Sequence, residues 1–174
     1  GVLLSTVSTA TVTNKTLTSP VLTTPKVVDN GYIQFGTDSE VRLISNPDKG
    51  LIIKHTATAD DKPSILTLQT GETDIAANDV IGAVDFQAPD EGAGTDAILV
   101  AAGIAAISEG DFSASNNATK LSFQTGASEA ASEKMSLSSA GLLTIADDLI
   151  IGDDKTIGSA SDPDAITIAS GGGV

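Results

Sequence analysis

Carboxylates are the side chains of this sequence with the most chemistry to offer. The stretch GDDKTIGSASDPD, from Gly152, sets Asp153, Asp154, Asp162 and Asp164 close together along the chain. Clustered oxygen ligands suit calcium, which takes six to eight of them. The spacing is not that of a known calcium loop, however. An EF-hand needs a fixed twelve-residue loop closing on Glu, and the glycine-rich nonapeptide repeat is absent. Asp and Asn beside Pro or Gly also build turns by bonding their own backbone. Turn chemistry is the expectation here, with these four aspartates as the alternative, a metal site. His55 is the only histidine, in LIIKHTA. Catalysis would need a nucleophile or carboxylate placed beside it, and the sequence supplies none specific to it. Two carboxylates could serve a glycosidase, but sugar clefts usually carry aromatic platforms. Only Tyr32, Phe35, Phe86, Phe112 and Phe123 are aromatic. No phosphate-loop motif G-x-x-x-x-G-K-[ST] occurs, so no cofactor is expected and no catalytic residue is assigned.

The composition narrows the class further. The net charge is −14 over 174 residues, and Arg42 is the one arginine. Nucleic-acid binding needs clustered Lys and Arg to displace phosphate counterions, and is excluded. With no Cys, disulfides, thiolate zinc sites and cysteine nucleophiles fall away. No apolar run reaches the roughly 18 residues of a membrane-spanning helix. Hydrophobic residues make up 40% of the chain, yet aromatics only 3%. Aromatic side chains normally dominate a thick core. A chain that lacks them must bury small side chains in thin layers.

The patterning says which layers. Residues 1–28 are rich in Ser and Thr, with Pro20 and Pro25, and read as an extended arm. Beyond it, YIQF, EVRLI, GLIIKHT, SILTLQT and VIGAVDFQA alternate with a period of two. Turn residues separate them at Asn30-Gly31, Asn46-Pro47-Asp48, Asp61 to Pro63 and Gly71. Short strands at spacings near ten residues mean an all-β chain. TDAILVAAGIAAISEG, at 95–110, has helix-favouring alanines, but Gly103 and the surrounding pattern favour a strand. GASEAASEKMSLSS could hold a helical turn at Glu129–Met135 and reads better as a loop entering a strand. Four segments follow: an arm at 1–28, a small β module at 29–75, a larger one at 76–146 and a short β repeat at 147–174.

Two internal echoes stand out. GTDSEVRLISNPD from Gly36 returns as GDDKTIGSASDPD from Gly152, and LTLQTG (66–71) returns as LSFQTG (121–126). Their periods differ, so no single repeat length governs the chain. The twin phrase from Gly36 and Gly152 is expected to turn the chain in the same way in both copies, with Pro47 and Pro163 starting the next turn between short strands. Short strands with small cores leave sheet edges and apolar surface in want of partners. Three chains wound about one axis would provide them, with small residues near the axis and acidic ones outward.

These phrases resemble those of a known family. TNKTLTSPVL (13–22) resembles a connecting segment of tailed-bacteriophage tail fibres and other virion fibre proteins. Residues 79–145 look like a fibre-shaft module, carried here by Gly82 and Phe86, then Leu121, Phe123 and Thr125, then Glu133, Lys134, Met135, Leu137, Ser139 and Gly141. DDLIIGDDKTIGSASDPDAITI (147–168) is similar to short shaft repeats of the same proteins. Nothing resembles a receptor-binding knob or a peptidase-like chaperone domain.

The resemblance implies an elongated, intertwined homotrimeric fibre of short strands, with β-prism or β-helix-like modules, in the virion. The expected role is a non-enzymatic shaft or connector that supports host attachment. Its expected partners are its own copies, other virion or fibre proteins and a host-cell receptor further out, with no nucleic acid and no membrane insertion. The alternatives are a receptor-binding fibre domain or bacterial surface adhesin and, behind these, a polysaccharide-degrading tailspike. For the trimer core the expected residues are Leu66, Leu68, Ile81, Val84, Phe86, Ile98, Ile104, Leu121, Phe123, Met135, Leu137, Leu142 and Ile145.

Overall fold

The computed structural model describes residues 25–36, 40–88 and 95–168. Most of the arm at 1–28 and the loop tip at 89–94 therefore lie outside the described residues. Within them the chain is all-β: ten strands, no helix, three antiparallel sheets. None of the described residues forms a helix long and apolar enough to cross a membrane. The chain divides into two compact units, one ending at Leu66 and one beginning at Thr67.

In the first unit β1 (Tyr32–Phe35), β2 (Val41–Asn46) and β3 (Gly50–His55) form a three-stranded meander. Its strands are built from Ile, Val, Leu, Tyr and Phe, which favour the pleated surface. The turn from β2 to β3 runs through Pro47, Asp48 and Lys49, with Asp48 at φ 61° and Gly50 at φ 106°. The left-handed backbone at Gly50 is open to glycine without a Cβ clash.

In the second unit β4 (Val80–Gln87), β5 (Val100–Ser108), β6 (Thr119–Thr125), β7 (Ser132–Leu137) and β8 (Leu143–Ile145) pair in chain order into a five-stranded sheet. The alanine-rich stretch at 95–110 is thus strand from Val100 on. Residues 126–131 form the loop into β7, with no helical turn at Glu129–Met135. Buried Ser108 secures the entrance to β4. Its hydroxyl donates to the Ala76 carbonyl and accepts the Asp79 N–H at 2.9 Å.

Strands β9 (Lys155–Ser159) and β10 (Asp162–Ile168) make a separate hairpin. The twin phrase turns differently in its two copies. Pro47 lies in a turn, as expected, but Pro163 lies inside β10, where the register shifts between Asp162 and Ile166. The reason is local. The first turn uses Gly50 at positive φ, and the position matching it is Ile166, for which that conformation is costly. The second copy turns earlier, at Ala160–Ser161. The bulge then settles on Gly158, whose missing side chain leaves room for the Asp162 and Pro163 backbone. SILTLQT, read as a strand, belongs to no ladder, and neither does the apolar run Leu149–Ile151 ahead of Gly152.

Candidate functional site

Strand register decides which side chains share a face, because successive residues alternate. In the five-stranded sheet Val84, Ile104, Phe123, Met135 and Ile145 stand opposite one another in one row. Gly82, Ala106, Leu121, Leu137 and Leu143 form the next row, two residues along each strand. Phe86, Ala102 and Thr125 begin a third on the other side. All three rows lie on one face. The first two rows carry no polar side chain, and hydroxyls stand only at the two ends of the face, Thr125 and Ser132 at one and Ser108 and Thr119 at the other.

The opposite face has another character. Ala83, Ala105, Ser122, Ser136 and Thr144 make its central row, flanked by Asp85, Gly103, Gln124 and Glu133. Lys120 bridges to Glu133 at 2.8 Å. The lysine holds the Glu133 carboxyl below its ordinary range, with smaller help from Ser122 and Ser136. The Gln124 amide donates to the Ser122 hydroxyl at 3.2 Å.

Burial is distributed in an unusual way between these faces. The middle of the small-residue face is covered: Gly103, Ala105, Ser122 and Ser136 are buried, while Ala83 and Thr144 at its ends are exposed. On the apolar face Phe123, Met135 and Ile145 are half-buried, and Val84, Phe86, Ile104, Leu121, Leu137 and Leu143 remain open, each at least 40% exposed. Scattered surface hydrophobics are normal. A contiguous face of them marks an interaction surface.

Of the residues expected to form a trimer core, the register brings eight onto this face: Val84, Phe86, Ile104, Leu121, Phe123, Met135, Leu137 and Ile145. Leu68 lies against it as well, since a side chain on Gly82 would sit 3.1 Å from the Leu68 Cβ. Four do not join the rows. Ile81 is the extra residue where the register shifts between Val80 and Gly82. Ile98 precedes β5, and its carbonyl accepts from the Gln87 amide. Leu66 belongs to the first unit. Leu142 is in the turn before β8, where its N–H bonds the Ser138 hydroxyl at 3.1 Å. Leu143 takes the place on the face instead, because Gly141 at φ 81° ends the turn one residue later than the apolar pattern suggests. Leu143, together with the small residues Gly82, Ala102, Ala106 and Thr125, stands on the face without having been among the expected core residues. The Gly141 turn was the signal for the first.

The three-stranded sheet, taken by itself, also has an apolar side. Ile33, Leu43 and Ile53 form one row, and Phe35, Val41 and His55 the next. On its other side the Arg42 guanidinium stacks over Tyr32, 4.3 Å from the ring centre. His55 lies beside these apolar residues, and its Nδ1 accepts the Ala57 N–H at 3.2 Å.

The carboxylates of the repeated phrase are parted by the hairpin. Asp153 and Asp154 occupy the turn before β9, Asp162 opens β10 opposite Ser159, and Asp164 falls in the bulge. Among the described residues no three His, Asp or Glu side chains gather where they could hold an ion. The chain matches no known protein family, no curated protein and no solved structure.

Proposed function

We propose that this chain is a non-enzymatic structural segment of a tailed-bacteriophage fibre, in which three copies turn the apolar faces of their five-stranded sheets toward a common axis. One observation carries the reading. Val84, Phe86, Ile104, Leu121, Leu137 and Leu143 converge on a single face that the chain itself leaves largely open, while the middle of the opposite face is covered by small and polar residues. A monomer gains nothing from this arrangement. An assembly with a threefold axis gains the burial of every row. The charge of −14 keeps such an assembly soluble from its outer side. The resemblance of TNKTLTSPVL and of residues 79–145 to fibre segments supplies the biological setting.

The mechanism in this setting is mechanical. The segment holds a distal adhesin away from the particle and transmits its position. Because each sheet completes its core only against its neighbours, folding and assembly are coupled.

Mass by light scattering, combined with particle shape from small-angle X-ray scattering, tests the reading. An elongated trimer is the expected result. A chain that stays monomeric at every accessible concentration would overturn it. Binding of the isolated trimer to host cells would add the receptor-binding role, and release of reducing ends from host polysaccharide would replace the structural role with a tailspike's.

A further inference from the structure

The run from Lys62 to Glu72 contains neither a turn nor a bend and enters no sheet. Among the described residues no backbone group from Ala57 to Asp74 bonds another backbone group. From Lys62 to Glu72 the hydrogen bonds among the described residues involve side chains: the Ser64 hydroxyl donates to the Ile53 carbonyl at 3.2 Å, and the Glu72 N–H bonds the Thr70 hydroxyl at 3.1 Å. A straight stretch of this length normally has ladder partners, because unpaired N–H and C=O groups are costly once apolar surface closes over them. This stretch is apolar as well as unpaired. Ile65 is 72% exposed and Leu66 64% exposed.

Its sequence is that of a strand already in the molecule. LTLQTG, at 66–71, echoes LSFQTG, at 121–126, and the second copy is β6 and its end. Leu66 matches Leu121 and Leu68 matches Phe123. Both counterparts point to the open apolar face. The same sequence is therefore fully laddered in one place and unladdered in the other.

The five-stranded sheet has an edge to receive it. At one end of the sheet β8 is only three residues long, which blunts that edge. At the other end β4 is eight residues long, carries a single charge, Asp85, and has neither Lys nor Pro. Of the usual devices against edge pairing β4 carries only the bulge at Ile81, near its start, and among the described residues nothing pairs with its outer side. Ser64 to Gly71 is the same length, and its uncharged alternation fits a sixth strand.

We infer that Ser64–Gly71 is a donated strand: it pairs with the free edge of β4 in a second copy of this chain, each copy giving a strand to the next around the threefold axis. This rests on the trimer reading and adds to it a head-to-tail, closed exchange of backbone hydrogen bonds. Leu68 then leaves its place over Gly82 of its own chain, and with Leu66 it extends the apolar face of the neighbouring sheet by one strand.

Amide hydrogen exchange on the full-length wild-type chain, with its mass measured in the same buffer, tests the exchange. In the trimer, alternate amides between Ile65 and Thr70, and alternate amides on the outer side of β4, should slow together by at least about 100-fold against the unfolded rate. A trimer in which the 65–70 amides exchange freely overturns the strand donation and leaves the trimer reading standing. A monomer overturns both. Thr67→Pro and Leu68→Pro give a second test, because adjacent N–H groups point to opposite sides of a strand. One of the two should raise the concentration at which the trimer dissociates by tenfold or more. An unchanged dissociation concentration in both variants overturns the inference.

Discussion

Val84→Thr and Val80→Thr make the same isosteric change on the same strand. Val84 stands in the apolar row opposite Ile104, whereas Val80 pairs with Ile107, off that face. They are 45% and 55% exposed in the chain alone. Burying a whole valine side chain contributes about 1.5–2 kcal/mol. The part of Val84 still exposed thus holds about 0.7–0.9 kcal/mol, which only assembly can collect. Threonine forfeits it and brings a hydroxyl that resists burial. Three copies multiply the loss to about 2–3 kcal/mol per trimer, or a fall of roughly 30- to 150-fold in the association constant. The concentration of half-assembly varies as the square root of that constant, so it should rise by roughly 5- to 12-fold for Val84→Thr. For Val80→Thr it should stay within about twofold, a margin equal to a few tenths of a kcal/mol. Sedimentation velocity over a concentration series reads both midpoints. If the two variants shift alike, or neither shifts, the face does not lie at the interface and the argument from register fails.

Three other outcomes follow from single contacts. Gly158→Ala forces a Cβ into the backbone of Asp162 and Pro163. It should open the hairpin at a cost of about 2–4 kcal/mol, seen as faster amide exchange across β9 and β10, while Gly152→Ala, which meets only the Lys155 side chain at 3.6 Å, changes that exchange little. Ser108→Ala removes the buried hydroxyl that joins the Ala76 carbonyl to the Asp79 N–H and should cost about 0.5–1.5 kcal/mol, read as a lower thermal midpoint. The Glu133 carboxyl is held below its ordinary value of 4.5, chiefly by Lys120. Its contribution to stability is therefore present above that value and disappears as pH falls through the lowered one. With both side chains about a third exposed, the effect is about 0.3–0.5 kcal/mol. Glu133→Gln should flatten the acid limb of a stability-versus-pH curve by that amount.

Most strands were legible in the sequence because period-two alternation reports a face directly. VIGAVDFQ, TKLSFQT and SEKMSL each became a strand, and the rows they form are the apolar residues that alternation picks out. The register between strands was less visible, since it depends on turns. Gly141 advances the face from Leu142 to Leu143, and the shift between Val80 and Gly82 takes Ile81 out of the rows. Neither follows from hydrophobicity. The twin phrase misled for a related reason. Asn46-Pro47-Asp48 and Asp162-Pro163-Asp164 share turn-forming side chains, but what closes the first turn is Gly50, two residues beyond the repeated phrase. Ile166 at the matching place sends the second copy into a strand.

The inverted burial of the five-stranded sheet follows from side-chain size and explains why a chain so poor in aromatics can still fold. Ala105, Ser122 and Ser136 are small enough for the flanking Gln124, Lys120 and Glu133 to cover them. The middle of that face is covered with no second layer of secondary structure among the described residues. No such local cover exists for Ile104, Phe123 or Leu137. Their neighbours on the face are as apolar as they are, and a side chain that folds over one of them only exposes another. A face of this kind can be completed only by another face. Sheets pack about 10 Å apart with side chains interdigitated, and a threefold arrangement offers each copy two neighbours of the same composition. The middle of the polar side is thus covered within one chain, while the apolar side is left to the proposed assembly, so sequence changes there should act on assembly rather than on the fold of the single sheet.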